Sequence, residues 1–125
     1  MTEIQSVHGR RVWDSRGRPT VETEIQVAGG GVGRAIAPAG ASTGSGEAVD
    51  LRDGDQTFGG YDVRNALAAV EGEIAKALVG MDAADQNAVD QALIALDGTP
   101  NKSRLGGNAI VATSMAAAHA TAAAR

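Results

Sequence analysis

Polar and apolar residues alternate from Thr20 to Ala28. Val21, Thr23, Ile25 and Val27 fall on one side, and Glu22, Glu24 and Gln26 on the other. A period of two predicts a half-buried antiparallel strand. Ahead of it, Ile4 to Trp13 is sparse in apolar residues but β-compatible. The run Asp14-Ser15-Arg16-Gly17-Arg18-Pro19 then supplies a cluster of turn formers. Gly29-Gly30-Gly31 permits a tight reversal into a third short strand, Val32 to Ala37, and Pro38 stops the sheet because proline cannot donate to a ladder. Three strands joined by two short turns make an antiparallel meander.

Further along, the period lengthens to three and four residues. Val63, Ala66, Leu67, Val70, Ile74 and Leu78 form one stripe, with Asp62 placed to cap the helix and Gly80 placed for a left-handed C-terminal cap. Asp85 starts a second helix striped by Val89, Leu93 and Leu96, which Asp97-Gly98-Thr99-Pro100 ends. Asn108 is expected to cap a third, running through Ile110, Val111 and Met115 into an almost smooth alanine surface suited to close packing or to another body lying against it. The expected fold is α+β, a three-stranded meander followed by about three to four helices in one domain.

Composition narrows the function classes. The 125 residues include 25 alanines but one Trp, one Tyr and one Phe, so the core must be built from closely approaching backbones. There is no cysteine, hence no disulfide or thiolate zinc framework. Lys plus Arg is 11 against 15 Asp plus Glu, a net charge of −4 that argues against nucleic-acid binding. No run of apolar residues is long enough to span a membrane, and Met1-Thr2-Glu3-Ile4 lacks the basic and apolar regions of a secretory signal. A cytoplasmic domain is the expectation.

The segment Ala39-Gly40-Ala41-Ser42-Thr43-Gly44-Ser45-Gly46 reads either as a linker or as a lid whose glycines let backbone approach a ligand. It fits neither a Walker loop, since no lysine follows its glycines, nor a dinucleotide fingerprint. Ser42 and Thr43 offer neutral oxygens to a hard cation or a phosphate. Asp53-Gly54-Asp55 lacks the twelve-residue calcium-loop pattern and reads as a surface turn, as does Asp97-Gly98. His8 and His119 stand far apart without metal-like partners, and Lys76 reads as a cation near a helix C-terminus. No nucleophile motif and no convincing general base is found, so these residues do not read as a complete enzyme.

Three longer motifs carry a family resemblance. Ala37-Pro38-Ala39-Gly40-Ala41-Ser42-Thr43-Gly44 with Glu47-Ala48-Val49-Asp50-Leu51-Arg52-Asp53-Gly54-Asp55 resembles the mobile-loop segment of the enolases. Asp14-Ser15-Arg16-Gly17-Arg18-Pro19-Thr20-Val21-Glu22 resembles their D-S-R-G-N-P-T-V-E. The run from Leu96 to Ile110 resembles L-D-G-T-x-N-K-S-x-L-G-A-N-A-I. The resemblance covers the chain nearly end to end and implies the amino-terminal capping domain. The catalytic base and acid are then expected on a (β/α) barrel absent from these residues.

The same resemblance implies roles residue by residue. Ser42 matches a serine that chelates a second magnesium ion when the lid closes, with the ion bridging to the substrate phosphate. Gly40, Ala41, Thr43 and Gly44 match lid positions, and Glu47 matches a glutamate that helps order the closed loop. Arg10 and Glu22 match dimer-contact positions. The implied whole is a homodimeric, magnesium-dependent lyase that dehydrates 2-phosphoglycerate to phosphoenolpyruvate in glycolysis, with the isolated chain inactive. Ala39, Arg18 and Gly107 depart from the usual Ser, Asn and Ala. They leave open a paralogue acting on another phosphorylated or phosphono-carboxylate compound. A free-standing binding module using the alanine-rich helix is the non-enzymatic alternative.

Overall fold

The computed structural model describes residues 1–37, 49–54 and 56–125. Its sheet has the order β1 (Ile4–Trp13), β2 (Pro19–Val27), β3 (Val32–Ile36), antiparallel throughout. The first turn is held by Asp14, whose Oδ1 accepts the backbone N–H groups of Arg16 and Arg18, both at 2.9 Å. Register places Glu22 between Arg10 and Ile36, and Glu24 between His8 and Arg34. On β2 the expected inner set, Val21, Thr23, Ile25 and Val27, is buried, but so are Thr20 and Glu24, and of the expected outer set only Gln26 is exposed.

A 3-10 turn at Thr57–Gly60 leads into α1 (Arg64–Ala69), a π turn (Val70–Ile74) and α2 (Ala75–Leu78) in direct succession. Val70, Ile74 and Leu78 are all fully buried. Buried positions spaced by four drift about 40° per step around an α-helix. The wider π turn takes back part of that drift and keeps them on the sheet side. The helix ends at Leu78 with Val79 as its C-cap; Gly80 follows with a φ of +95°, which only glycine adopts without strain, but it does not close the helix and gives its N–H to Ile4 O at 2.9 Å.

The capping residues differ from expectation in two places. Asp62 does not cap α1; Asp53 does, its carboxylate accepting the N–H groups of Arg64 at 3.1 Å and Asn65 at 2.9 Å. Asp62 is instead fully buried and bound bidentately by Arg11, both contacts at 2.9 Å. Asn108 likewise stands inside the first turn of α4 (Gly107–Ala124), behind the N-cap Gly106. In both cases the side chain accepts from the next backbone N–H, Val63 at 2.9 Å for Asp62 and Ala109 at 3.1 Å for Asn108, and takes a long-range partner as well. Asp85 does cap α3 (Gln86–Asp97), accepting from Ala88 N at 3.1 Å, and Gly98 closes it with φ of +72°.

The alanine helix α4 lies on β2 and β3, with α3 on its flank. A Cβ on Gly33 would stand 2.1 Å from the Ala120 nitrogen, and one on Gly31 2.6 Å from the Ala120 oxygen. Alanine on the helix and glycine on the strand together allow this approach. Ala109, Ala112, Ala116, Ala117 and Ala120 are therefore core residues, joined by Ile4, Ile25, Ile74, Leu78, Leu93 and Leu105. Of the two expectations for the smooth face, close packing and another body lying against it, close packing inside the domain accounts for most of it.

Candidate functional site

The expected lid residues Gly40, Ala41, Ser42, Thr43, Gly44 and Glu47 lie outside the described residues. What is described is how both flanks of that segment are held. On the leading side, Ala37 donates its N–H to Val21 O at 3.0 Å, and the buried Thr20 hydroxyl donates to Ala37 O. On the trailing side, Val49 N bonds Asn101 O and Gly107 N bonds Val49 O, each at 2.7 Å. Asn108 pairs both ways with Leu51, its Oδ1 accepting Leu51 N at 3.0 Å and its Nδ2 donating to Leu51 O at 3.1 Å. Arg52 Nη1 donates to Pro19 O and to Tyr61 O, the latter at 2.8 Å.

Two carboxylates read as surface turns are organising groups. Asp53 ties the trailing flank to α1 and also receives Arg64 Nε at 3.0 Å. Asp97 is buried, with Oδ2 accepting Leu105 N at 2.8 Å and Oδ1 accepting Thr99 N at 3.0 Å. Burial pushes the Asp97 carboxyl up, but hydrogen bonds from Thr99 and from the Leu105 and Thr99 backbones outweigh it and leave it below the ordinary carboxylate range. In sequence both sit in Asp-Gly pairs, and nothing local distinguishes a solvated turn from one folded over a carboxylate.

Arg10 and Glu22 meet on the outer face of the sheet, 2.9 Å apart, and Arg10 also reaches Glu24 at 3.2 Å. Arg34 approaches the same Glu24 oxygen at 2.8 Å. The charged pair expected at a subunit contact is thus already hydrogen-bonded within the chain. His8 stands 3.6 Å from Glu71, and the His119 Nδ1 lies 2.7 Å from Arg34 O; the structure places the two histidines apart, in separate contacts.

The chain's three aromatic residues gather at one end, a cluster the sequence did not announce. Trp13 and Phe58 pack edge to face with centroids 5.1 Å apart, and the Arg11 guanidinium lies 5.2 Å from the Phe58 ring. Arg18 stacks on Tyr61 at 4.2 Å, with Arg52 at 5.7 Å from the same ring. Trp13, Phe58 and Tyr61 are separated by up to 48 positions, so only the closeness of the β1–β2 turn to residues 58–61 brings them together. A second surface feature is an apolar groove of about 300 Å³ between α3 and α4, lined by Ile94, Ile110, Val111 and Met115.

Among the described residues, no three His, Asp or Glu side chains stand close enough to hold a metal ion. Ser42 would bring hard but neutral oxygens, a donor type that suits magnesium yet leaves most of its octahedral shell to be filled from elsewhere. Among the described residues, no helix is long and apolar enough to cross a membrane.

Comparison with known proteins is consistent with this architecture. Residues 4–125 match the family described as enolase, N-terminal domain. The chain is 58% identical over 123 residues to a protein named enolase from Rubrobacter xylanophilus. That alignment covers 98% of this chain but 29% of the relative, so the chain spans about three tenths of the relative's length.

Proposed function

Since the chain belongs to the enolase family, as its amino-terminal domain, we propose that it caps the active site of a lyase converting 2-phosphoglycerate to phosphoenolpyruvate. The catalytic base and acid then reside on a barrel formed by the rest of the polypeptide. The observation that carries this is the 58% identity across nearly the whole chain. The segment 38–48 acts as the lid in this reading.

Within it, Ser42 contributes its hydroxyl and carbonyl oxygens to a second magnesium ion, and Gly40, Ala41, Thr43 and Gly44 form the surrounding lid backbone. Glu47 helps order the closed form. Magnesium, when bound, supplies positive charge that stabilises the dianionic carboxylate created when a proton is removed beside it. The chain's own part is to cover the site, exclude water and present the Ser42 oxygens. Arg10 and Glu22 contribute to a homodimer contact from the outer sheet face, and the enzyme works in the cytoplasm.

Ser42→Ala in the complete enzyme tests the assignment. Losing one ligand should weaken magnesium binding by about tenfold or more and lower turnover with it. A fully active Ser42→Ala enzyme with unchanged magnesium dependence would refute the role. A second reading, a paralogue with another phosphorylated or phosphono-carboxylate substrate, is favoured by Arg18. That guanidinium stands on Tyr61 beside Arg52, where the family usually carries a neutral side chain. Assays of the complete enzyme on candidate substrates separate the two.

A further inference from the structure

Arg10, Arg11, Arg16, Arg34, Arg64 and Arg104 each pair with a carboxylate, at distances from 2.8 to 3.9 Å. Among the described residues, no carboxylate pairs with Arg18 or Arg52. Yet both lie on one ring, that of Tyr61, with their Cζ atoms 4.2 and 5.7 Å from its centroid. We propose that Arg18, Arg52 and the Tyr61 hydroxyl form a binding site for a phosphate-type oxyanion. The site draws on no residue of segment 38–48 and does not depend on the capping role proposed above.

Both arginines are held in place before any anion arrives, which lowers the ordering cost of binding. Asp14 fixes the Arg18 backbone on both sides: its Oδ1 accepts the Arg18 N–H and its own N–H goes to Arg18 O, each at 2.9 Å. The Asp14 carboxylate thus serves the turn, and its ion pair is with Arg16 at 3.9 Å. Arg52 is pinned through Nη1, which donates to Pro19 O and to Tyr61 O, the latter at 2.8 Å. Carbonyl oxygens orient a guanidinium without neutralising it. Among the described residues, the Arg52 Nε and Nη2 and the Tyr61 hydroxyl have no hydrogen-bond partner. The nearby Arg11 is no part of the site, since its charge is matched by Asp62.

Two cations beside one ring repel each other, and an anion bound to both relieves that repulsion. Each guanidinium offers a planar fork of N–H donors that matches phosphate oxygens, and hydrogen bonds between ionised partners are stronger than neutral ones. A tetrahedral dianion has oxygens to meet two forks and a phenol from different directions. The two oxygens of a carboxylate lie in one plane and serve such a set less well. Tyr61 is 39% exposed and both arginines are partly exposed, so an anion reaches them from solvent. The same exposure screens the charges and sets the affinity in the millimolar range.

The test uses the full-length protein and phenylglyoxal, which modifies accessible arginines, with peptide mass spectrometry giving a rate for each arginine. Inorganic phosphate replaces chloride at constant ionic strength. A parallel arm with 2-phosphoglycerate, without magnesium, separates the free anion from a phosphate ester by which protects at lower concentration. Millimolar phosphate should slow modification of Arg18 and Arg52 about threefold or more. It should leave Arg34 unchanged, which is exposed but paired with Glu24. Arg52→Gln should raise the phosphate concentration that protects Arg18 about tenfold, Arg18→Gln should do the same for Arg52, and Tyr61→Phe should raise both about threefold. Equal slowing of Arg34 would reduce the effect to general screening and overturn the site. Arg18 and Arg52 resisting modification before phosphate is added would show them covered by protein, which also overturns it. Unchanged protection in Arg52→Gln or Tyr61→Phe would do the same. No printed hydrogen bond ties the Arg18 side chain to the backbone, so Arg18→Gln still reads Arg52 if Arg52→Gln fails to fold.

Discussion

Glu24 sits on the central strand only 7% exposed, approached from β3 by Arg34 and from β1 by Arg10. Hydrogen bonds from Arg34, then from Arg10, hold its carboxyl below the ordinary glutamate range against the opposing effect of burial. A carboxyl whose pKa is lower folded than unfolded stabilises the fold above its unfolded value. That stabilisation is lost as pH falls through the folded one. Melting temperature should therefore drop as pH falls below about 4. Glu24→Gln should lower stability at pH 7 and flatten part of that acid loss; an acid limb as steep as the parent's would contradict it. Asp97 and Asp53 are lowered as well and share the same window. Asp97 and Asp53 are fed by backbone N–H groups, at places where chain segments must be joined, whereas Glu24 is held by arginine side chains.

At the scale of elements, the contact between α4 and β3 depends on what is missing from side chains. The Ala120 backbone occupies the space where a Gly33 Cβ would be, whereas nothing lies within 4 Å of one on Gly72. Gly33→Ala should cost about 3 kcal/mol or more, since neither backbone can move without disturbing the core. Gly72→Ala should gain about 0.5–1 kcal/mol, by restricting the unfolded chain and improving helix propensity. Denaturant melts of the two variants check both signs at once, and equal effects would show that the helix is not seated as described. The same close approach aligns Thr113 on α4 with Thr23 on β2, their hydroxyls 3.3 Å apart in the core. Here the Thr113 hydroxyl bonds back to Ala109 O at 2.8 Å, which satisfies a buried polar group within its own helix.

For the whole molecule, the charges and rings are unevenly placed. A chain of net charge −4 gathers Arg11, Arg18 and Arg52 with all three of its aromatic side chains at the end from which segment 38–48 departs. The rings there lie beside arginines, of which Arg11 is also ion-paired with the buried Asp62. In the proposed role Ser42 would bring only neutral oxygens, and magnesium needs a near-octahedral set. The purified 125-residue chain should accordingly show no dehydratase activity, and adding the remaining polypeptide should restore it. Turnover by the chain alone, free of host enzyme, would overturn the division of labour between cap and barrel.

Local pattern was enough to determine the three strands, their turns, the helix stripes, the cap at Asp85 and the helix end at Asp97-Gly98, because each depends on neighbours within a few residues. Long motifs in order were enough to place the family, since they record whole segments and not single contacts. Tertiary structure alone decided what Asp53, Asp62, Asp97 and Asn108 hold. A carboxylate or amide next to a helix start has a local bond available, and whether a partner more than 50 positions away joins it depends on which segments the fold brings alongside. The hydrogen bonds of Ala37 and Arg52 to Pro19–Val21 belong to the same class: they join residues 16 to 33 positions apart, and no local pattern encodes a meeting that the packed sheet creates.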